Sequence, residues 1–165
     1  EWKVSSVTLK IVTESDGAGI LDVYRECEDF LSLGPVSEAS PKMVLDDLHE
    51  SREIGGQFHG IFDPEDRMLG VVDYVTSGFR GKPHIAFINL LMIAAPFRSK
   101  GLGRQIVQLV ENEIGKDNRV TEIHSAVQTN NPKTIRFWKT NGYKVIGGPE
   151  LQSDTTTVFH LRKVI

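Results

Sequence analysis

A single cysteine, Cys27, stands in 165 residues, so no internal disulfide can form. Stability has to come from a packed core, and a reducing, cytoplasmic setting fits that usage. Long apolar runs are missing too. The most apolar stretch, Ile85 to Ile93, falls far short of the roughly 20 residues that a bilayer span needs. No signal-peptide or lipidation pattern is visible, so no membrane partner is expected. Charge of one sign is not in excess: 19 basic residues face 22 acidic ones, a net charge of −3. The basic residues are spread along the chain, which argues against nucleic acid as the main ligand. No His, Cys or carboxylate spacing points to a metal, and no Ser/His/Asp or Cys/His set points to a nucleophile.

What is present fits one globular domain over residues 1–165, long enough for a substantial core. Val7 to Val12 reads as a first strand. Ile20, Val23, Tyr24, Cys27, Phe30 and Leu31 recur three or four apart and predict one first helix, with Cys27 packed on its apolar face. Ser40-Pro41 reads as a cap and first helical residue, opening a helix to about Ser51. Gln57 to Phe62 and Met68 to Thr76 predict strands around an Asp63 to Asp66 turn. Ser77 to Pro83 is a polar loop, and Ile85 to Ile93 has the length of a buried strand. Val120 to Val127 is a further strand. Thr129-Asn-Asn-Pro132 caps a last helix that Asn141-Gly142 ends. Tyr143 to Ile146 and Thr156 to Leu161 are expected as closing strands, linked by Gly147-Gly148-Pro149. The middle strands run without intervening helices, which excludes a regular doubly wound fold.

The chain is organised around Phe87 to Gln108. Pro96 breaks the apolar strand, Arg98-Ser-Lys-Gly101-Leu-Gly103 follows, and Ile106, Val107, Val110 and Ile114 then repeat at helical spacing. Strand, glycine loop and helix together make an anion site. The first amides of a helix lack internal partners, and glycine lets a phosphate approach the backbone. The dinucleotide fingerprint G-x-G-x-x-G is absent. Lys100 precedes the first glycine and no hydroxyl follows, so the magnesium-nucleotide loop does not fit either.

Arg98-x-x-Gly101-x-Gly103 resembles the acyl-coenzyme A loop of the GNAT superfamily of N-acetyltransferases. Asn131, Phe137, Gly142 and Tyr143 fall on a second signature of that family. The resemblance implies a mixed-sheet α/β (α+β) fold of about seven strands and four helices, with acetyl-CoA as co-substrate and no metal. It implies that a bulge exposes backbone groups near Leu91, Met92 and Ile93 to the pantetheine arm. It implies that the backbone of Arg98, Ser99, Lys100, Gly101, Leu102, Gly103 and Arg104 cradles the pyrophosphate. Asn131 would lie beside the pantetheine or adenosine part, with Phe137 and Trp138 along the arm. Trp138 stands where the family usually has a Tyr that protonates the thiolate. It reads best as a space-filler, which leaves open a non-catalytic acyl-CoA-binding or sensing protein. Many relatives pair, which leaves a homodimer open.

Amide formation needs a neutral amine, and no residue announces itself as the base. Asp73 is a carboxylate in an apolar strand, His124 lies mid-strand near Asn131, and Tyr74 is a candidate proton donor. Asn89 stands where many relatives carry an acid, and an amide cannot serve as base. The acids Asp46, Asp47, Glu50 and Glu53 could draw in a cationic amine, but read first as a solvated helix face. The expected activity is acetyl transfer to the amine of a small molecule or protein, with the acceptor unknown.

Overall fold

The computed structural model describes residues 6–165. Seven strands form one sheet in the order β1-β2-β3-β4-β5-β7-β6. They are β1 (Thr8–Ile11), β2 (Gln57–Phe62), β3 (Met68–Val75), β4 (Ile85–Ile93), β5 (Glu122–Gln128), β6 (Lys144–Leu151) and β7 (Thr157–Val164). Only β4 and β5 pair in parallel. The connection between them carries α4 (Leu102–Ile114), as a parallel crossover requires. The other helices are α1 (Gly17–Arg25), α2 (Glu28–Leu31), α3 (Pro41–Glu53) and α5 (Pro132–Thr140).

Each face of the sheet is buried by its own cluster. Leu102, Ile106, Val107, Val110 and Ile114 of α4 pack with Ala86, Ile88, Ile123, Val127 and Trp138. Ile20, Val23 and Tyr24 of α1 pack with Val44 and Leu48 of α3, and with Phe58, Val71 and Met92, on the other face. Burial of these stripes, at about 25 cal/mol per Å² of apolar surface, is what holds the helices on the sheet. The Ser40 side chain accepts from the Met43 amide at 3.2 Å, and Pro41 follows it, so α3 starts where the sequence predicts.

Two elements differ from the sequence expectation. The predicted first helix divides into α1 and α2. The Glu26 carbonyl accepts instead from the Ala95 amide at 3.2 Å, and so is drawn toward the loop after β4. Cys27, Phe30 and Leu31 still reach the same apolar cluster, so the periodicity survives the break. Strand β6 also runs on to Leu151 rather than ending before Gly147. Gly147-Gly148-Pro149 is a bulged part of the strand and not a linker. Gly148 takes φ +92, and β6 lies at the edge of the sheet, where proline removes no needed ladder bond. The turn itself lies at Gln152 to Thr156, closed by the Gln152 amide donating to the Thr156 carbonyl at 2.7 Å.

β3 and β4 approach closely at Gly70, where an added Cβ would stand 2.5 Å from the Met92 carbonyl oxygen. Gly70→Ala should therefore destabilise the protein by about 1–3 kcal/mol in urea unfolding. An unchanged midpoint would show that the two strands separate more readily than their packing implies.

Candidate active site

The site begins with one extra residue. Asp73 pairs with Leu90 while Tyr74 pairs with Ile88, so Asn89 is inserted into β4 as a bulge. Before it, Ala86 and Ile88 face the α4 cluster; after it, Leu91 and Ile93 do. Leu90 and Met92 are thereby turned to the α3 face. The sequence reading expected this bulge at Leu91 to Ile93; it lies at Asn89. Ile93 is not available in the way expected, because its carbonyl accepts from Arg98 Nε at 2.8 Å and from Cys27 Sγ at 3.4 Å. Pairing with β5 stops at the same point: Ile85 to Ile88 match Glu122 to Ser125, and the ladder goes no further. Past Ile88 the strands part, and a cleft of about 1410 Å³ opens, lined by Asn89 and Leu91 on one side and His124, Ala126 and Gln128 on the other.

Beside the parting strands lies the mouth of α4. Ser99 and Gly101 both take left-handed φ, +62 and +80. For a serine that conformation is costly, and such strain concentrates at functional turns. The helical ladder starts with the Gln105 amide donating to the Gly101 carbonyl at 3.1 Å. Leu102, Gly103 and Arg104 precede it, so their amides have no acceptor within the helix. An added Cβ on Gly103 would stand 3.0 Å from the Phe137 ring, so glycine lets α4 and α5 meet here. Arg98 departs from expectation. Its amide donates to the Ala95 carbonyl at 3.3 Å, and its guanidinium turns away to a fork on Asp29. The signature arginine is a clamp between loop and α2, and its amide is already engaged.

The α3 acids do not form a solvated face throughout. Asp47, Glu50 and Glu53 line the cleft. Asp47 accepts from the Tyr24 hydroxyl at 2.6 Å, and Tyr24 is completely buried. Burial first, then the nearby carboxylates of Glu50, Asp73 and Asp46, push the Asp47 carboxyl up to about 6, against the Tyr24 bond, which lowers it. Glu50 is exposed overall yet is also raised, by partial burial, against the nearby Asn89 amide, which pulls it down. Sequence reasoning ranked an amine-attracting role for both below a solvated face, and Asp47 is the one that is covered. The one available signal was their spacing, three apart on the face that also carries Met43.

The residues expected to do chemistry are not brought together. Asp73 is fully buried; it accepts from Ser51 Oγ at 2.6 Å and from Asn89 Nδ2 at 2.9 Å, and does not line the cleft. Tyr74 is buried among the α4 cluster, stacked on His59 with centroids 5.0 Å apart. His124 does line the cleft. Its Nε2 is buried without a hydrogen-bond partner, 3.6 Å from Glu122 Oε2, and burial lowers its pKa, so the imidazole is largely neutral at pH 7. Asn131 caps α5: its side chain accepts from the Thr134 amide at 3.2 Å, which leaves the Nδ2 end for a ligand. Trp138 is buried edge-on between Phe137 and Tyr143, with centroids 5.4 and 4.9 Å away. Among the described residues, no cluster of His, Cys, Asp and Glu is placed to hold a metal. No described helix is long and apolar enough to cross a membrane.

A strand that splays from its parallel neighbour beside an open helix mouth is the arrangement that the resemblance in the sequence implies. The chain belongs to the acetyltransferase (GNAT) family, whose model matches residues 20–143. An acetyltransferase from Thermus thermophilus is 19% identical with TM-score 0.81, covering 99% of this chain and 100% of its own. AAC(6')-Ib in complex with ribostamycin and coenzyme A is 18% identical with TM-score 0.76, covering 96% and 93%. A Vibrio cholerae spermidine N-acetyltransferase in complex with coenzyme A and spermine is 15% identical with TM-score 0.73, covering 97% and 96%. A search of curated protein sequences returns no match.

A carboxyl raised by folding holds its proton more tightly in the folded state. Its stabilising share is full below the ordinary range and is lost as pH rises through about 6. Asp47→Asn should therefore lose less stability than the parent between about pH 4 and about pH 7, a difference on the order of 2 kcal/mol. Chemical denaturation at both pH values checks this; parallel losses in the two proteins would refute the burial argument.

Proposed function

We propose that residues 1–165 act as one N-acetyltransferase domain that moves an acetyl group from acetyl-CoA to an amine in a ternary complex. The observation that carries this reading is a junction. β4 leaves β5 after four paired residues, beside a helix mouth whose first amides have no acceptor in the helix. In the reading, the backbone from Ser99 to Arg104 receives the diphosphate, with the Arg98 side chain holding the loop in shape. The β4 backbone from Asn89 to Met92 lies along the pantetheine arm and offers amides to the oxyanion that forms on the acyl carbonyl. Phe137 and the Asn131 amide flank the arm from α5.

The acceptor side is the wall of carboxylates. A lysine-like amine has a pKa near 10.4, so only about 0.04% of it is neutral at pH 7. It arrives as a cation, and Asp47, Glu50, Glu53, Glu150 and Asp154 line the cleft it would enter. The Vibrio cholerae neighbour, named as a spermidine N-acetyltransferase, supports an amine acceptor. The departing thiolate has an ordinary pKa of about 8.5 and leaves without an acid, taking its proton from water. A cytoplasmic setting suits Cys27, a buried free thiol that the reaction does not use.

One observation favours a second reading, an acyl-CoA-binding protein without turnover: Trp138 stands in place of the family's Tyr, and it is held in the core. Supplying acetyl-CoA with a panel of primary amines separates the two. Release of free coenzyme thiol is expected; binding of acetyl-CoA with no release from any amine would leave the binder. Gly103→Glu, which sets a carboxylate among the α4 amides and against Phe137, should weaken acetyl-CoA binding about 100-fold, some 2.7 kcal/mol by titration calorimetry. Retained affinity would remove the diphosphate from this helix mouth.

A further inference from the structure

The cleft carries opposite charge on different elements. Asp47, Glu50 and Glu53 of α3 line it, and Asp154 joins them from the β6–β7 turn. The hairpin between β3 and β4 has the other sign: residues 77–84 contain an arginine, a lysine and a histidine and no acid. An isolated bridge joins Phe79 to Lys82, whose amide donates to the Phe79 carbonyl at 3.1 Å. Between them Arg80 and Gly81 take φ +54 and +75, so the tip is a two-residue turn with both residues left-handed. Asn or Gly suits that first position. An arginine there carries backbone strain, which gathers where a side chain is needed.

Phe79 pins the tip over the cleft. Its ring lies on Phe87 of β4, with centroids 4.0 Å apart and planes 3° from parallel. Phe87 pairs with His124 of β5, and all three residues line the cleft. The Arg80 guanidinium lies 5.2 Å from the centre of the Phe79 ring. That contact holds the group in place and uses none of its five N–H donors as hydrogen bonds to oxygen. Among the described residues, Arg80 has no hydrogen bond or ion pair, and it is the only arginine or lysine that lines the cleft. Glu150, a carboxylate near enough to feel its charge, is held instead by His160 Nε2 at 2.8 Å.

We propose that the acceptor carries an oxyanion group, carboxylate or phosphate, as well as its amine, and that Arg80 is the specificity-determining residue that grips it. The inference rests on the acyl-transfer reading above and narrows its acceptor. A planar guanidinium offers two parallel N–H groups to such an oxyanion, a match that a lysine ammonium lacks. With the oxyanion held at the hairpin tip, the amine end is drawn toward the α3 carboxylates, and the stacked Phe79 and Phe87 rings supply an apolar surface beside the molecule that spans them. A plain polyamine would meet Arg80 with like charge, so the same residue selects against it.

The test is kcat/KM, read by release of coenzyme thiol, on matched pairs of acceptors. Amino acids are set against the amines left when the carboxyl is removed, such as lysine against cadaverine, and phosphoethanolamine is set against ethanolamine. The two kinds of pair separate a carboxylate from a phosphate. In one kind the acidic member should exceed its plain amine by about 100-fold. Arg80→Gln should bring the acidic member down to the level of the plain amine, chiefly through KM, and Arg80→Lys should restore part of the preference. Arg80→Gly relieves the left-handed backbone, so it should keep or raise the melting temperature while losing the same preference. A merely structural role for Arg80 would lower both members of a pair alike. Plain amines acetylated as fast as their acidic partners, or a preference that survives Arg80→Gln, overturn the inference and leave the transferase reading intact. Loss of acetyl-CoA affinity in Arg80→Gln also overturns it, by placing the guanidinium on the donor. A parent protein that binds acetyl-CoA and acetylates no amine overturns both.

Discussion

Backbone amides and carbonyls must find partners, and this molecule is arranged around the place where one strand stops finding them. β4 is paired along both edges only as far as Ile88. There Asn89 adds a residue, and β5 diverges. Every later feature follows from that loss of pairing. The cleft exists because the ladder ends, and α4 starts beside it because the chain leaves β4 at the sheet's parting. A sheet without the bulge would keep Leu90 on the opposite face and carry the parallel ladder further, closing the space that the site occupies.

The chemistry that gap allows is set by what surrounds it. On the α4 side the surroundings are backbone: unpaired amides and two left-handed residues, with the macrodipole adding partial positive charge. On the α3 side they are carboxylates, of which Asp47 and Glu50 are pushed upward by burial and by nearby carboxylates. In the proposed reading, an anionic donor at the α4 mouth and a cationic acceptor beside the α3 carboxylates would be sorted apart before either made a specific contact. Holding them together turns a bimolecular encounter into a local one, worth as much as about 7–11 kcal/mol of the barrier where alignment is good.

Much of this was legible in the residues. Ile85 to Ile93 as a strand, Ser40-Pro41 as a helix start and a cap within Thr129 to Pro132 were all read from local chemistry, which settles the cap on Asn131. The glycine loop was legible because Gly101 and Gly103 answer to backbone demands. What escaped was decided at long range. The break at Cys27 depends on a carbonyl claimed by Ala95, 69 residues away from Glu26. Asp73 looked like a reactive carboxylate since nothing in its strand shows that Ser51 and Asn89 will enclose it. Asp47 looked solvated because a helix sequence does not say which acids a neighbouring element will cover, here Tyr24 of α1. Arg98 sits in a cofactor signature, yet its partner Asp29 is equally remote and marked by no motif.

That arginine ties the molecule together mechanically. Its guanidinium grips Asp29 while its Nε holds the end of β4, and Cys27 closes the same triangle through its thiol. Phe30 and Leu31 of the gripped segment form part of the opposite wall. The turn before α4 and the wall of the cleft are thus braced by a single strut. A disturbance at Asp29, which lines neither, would be felt at both.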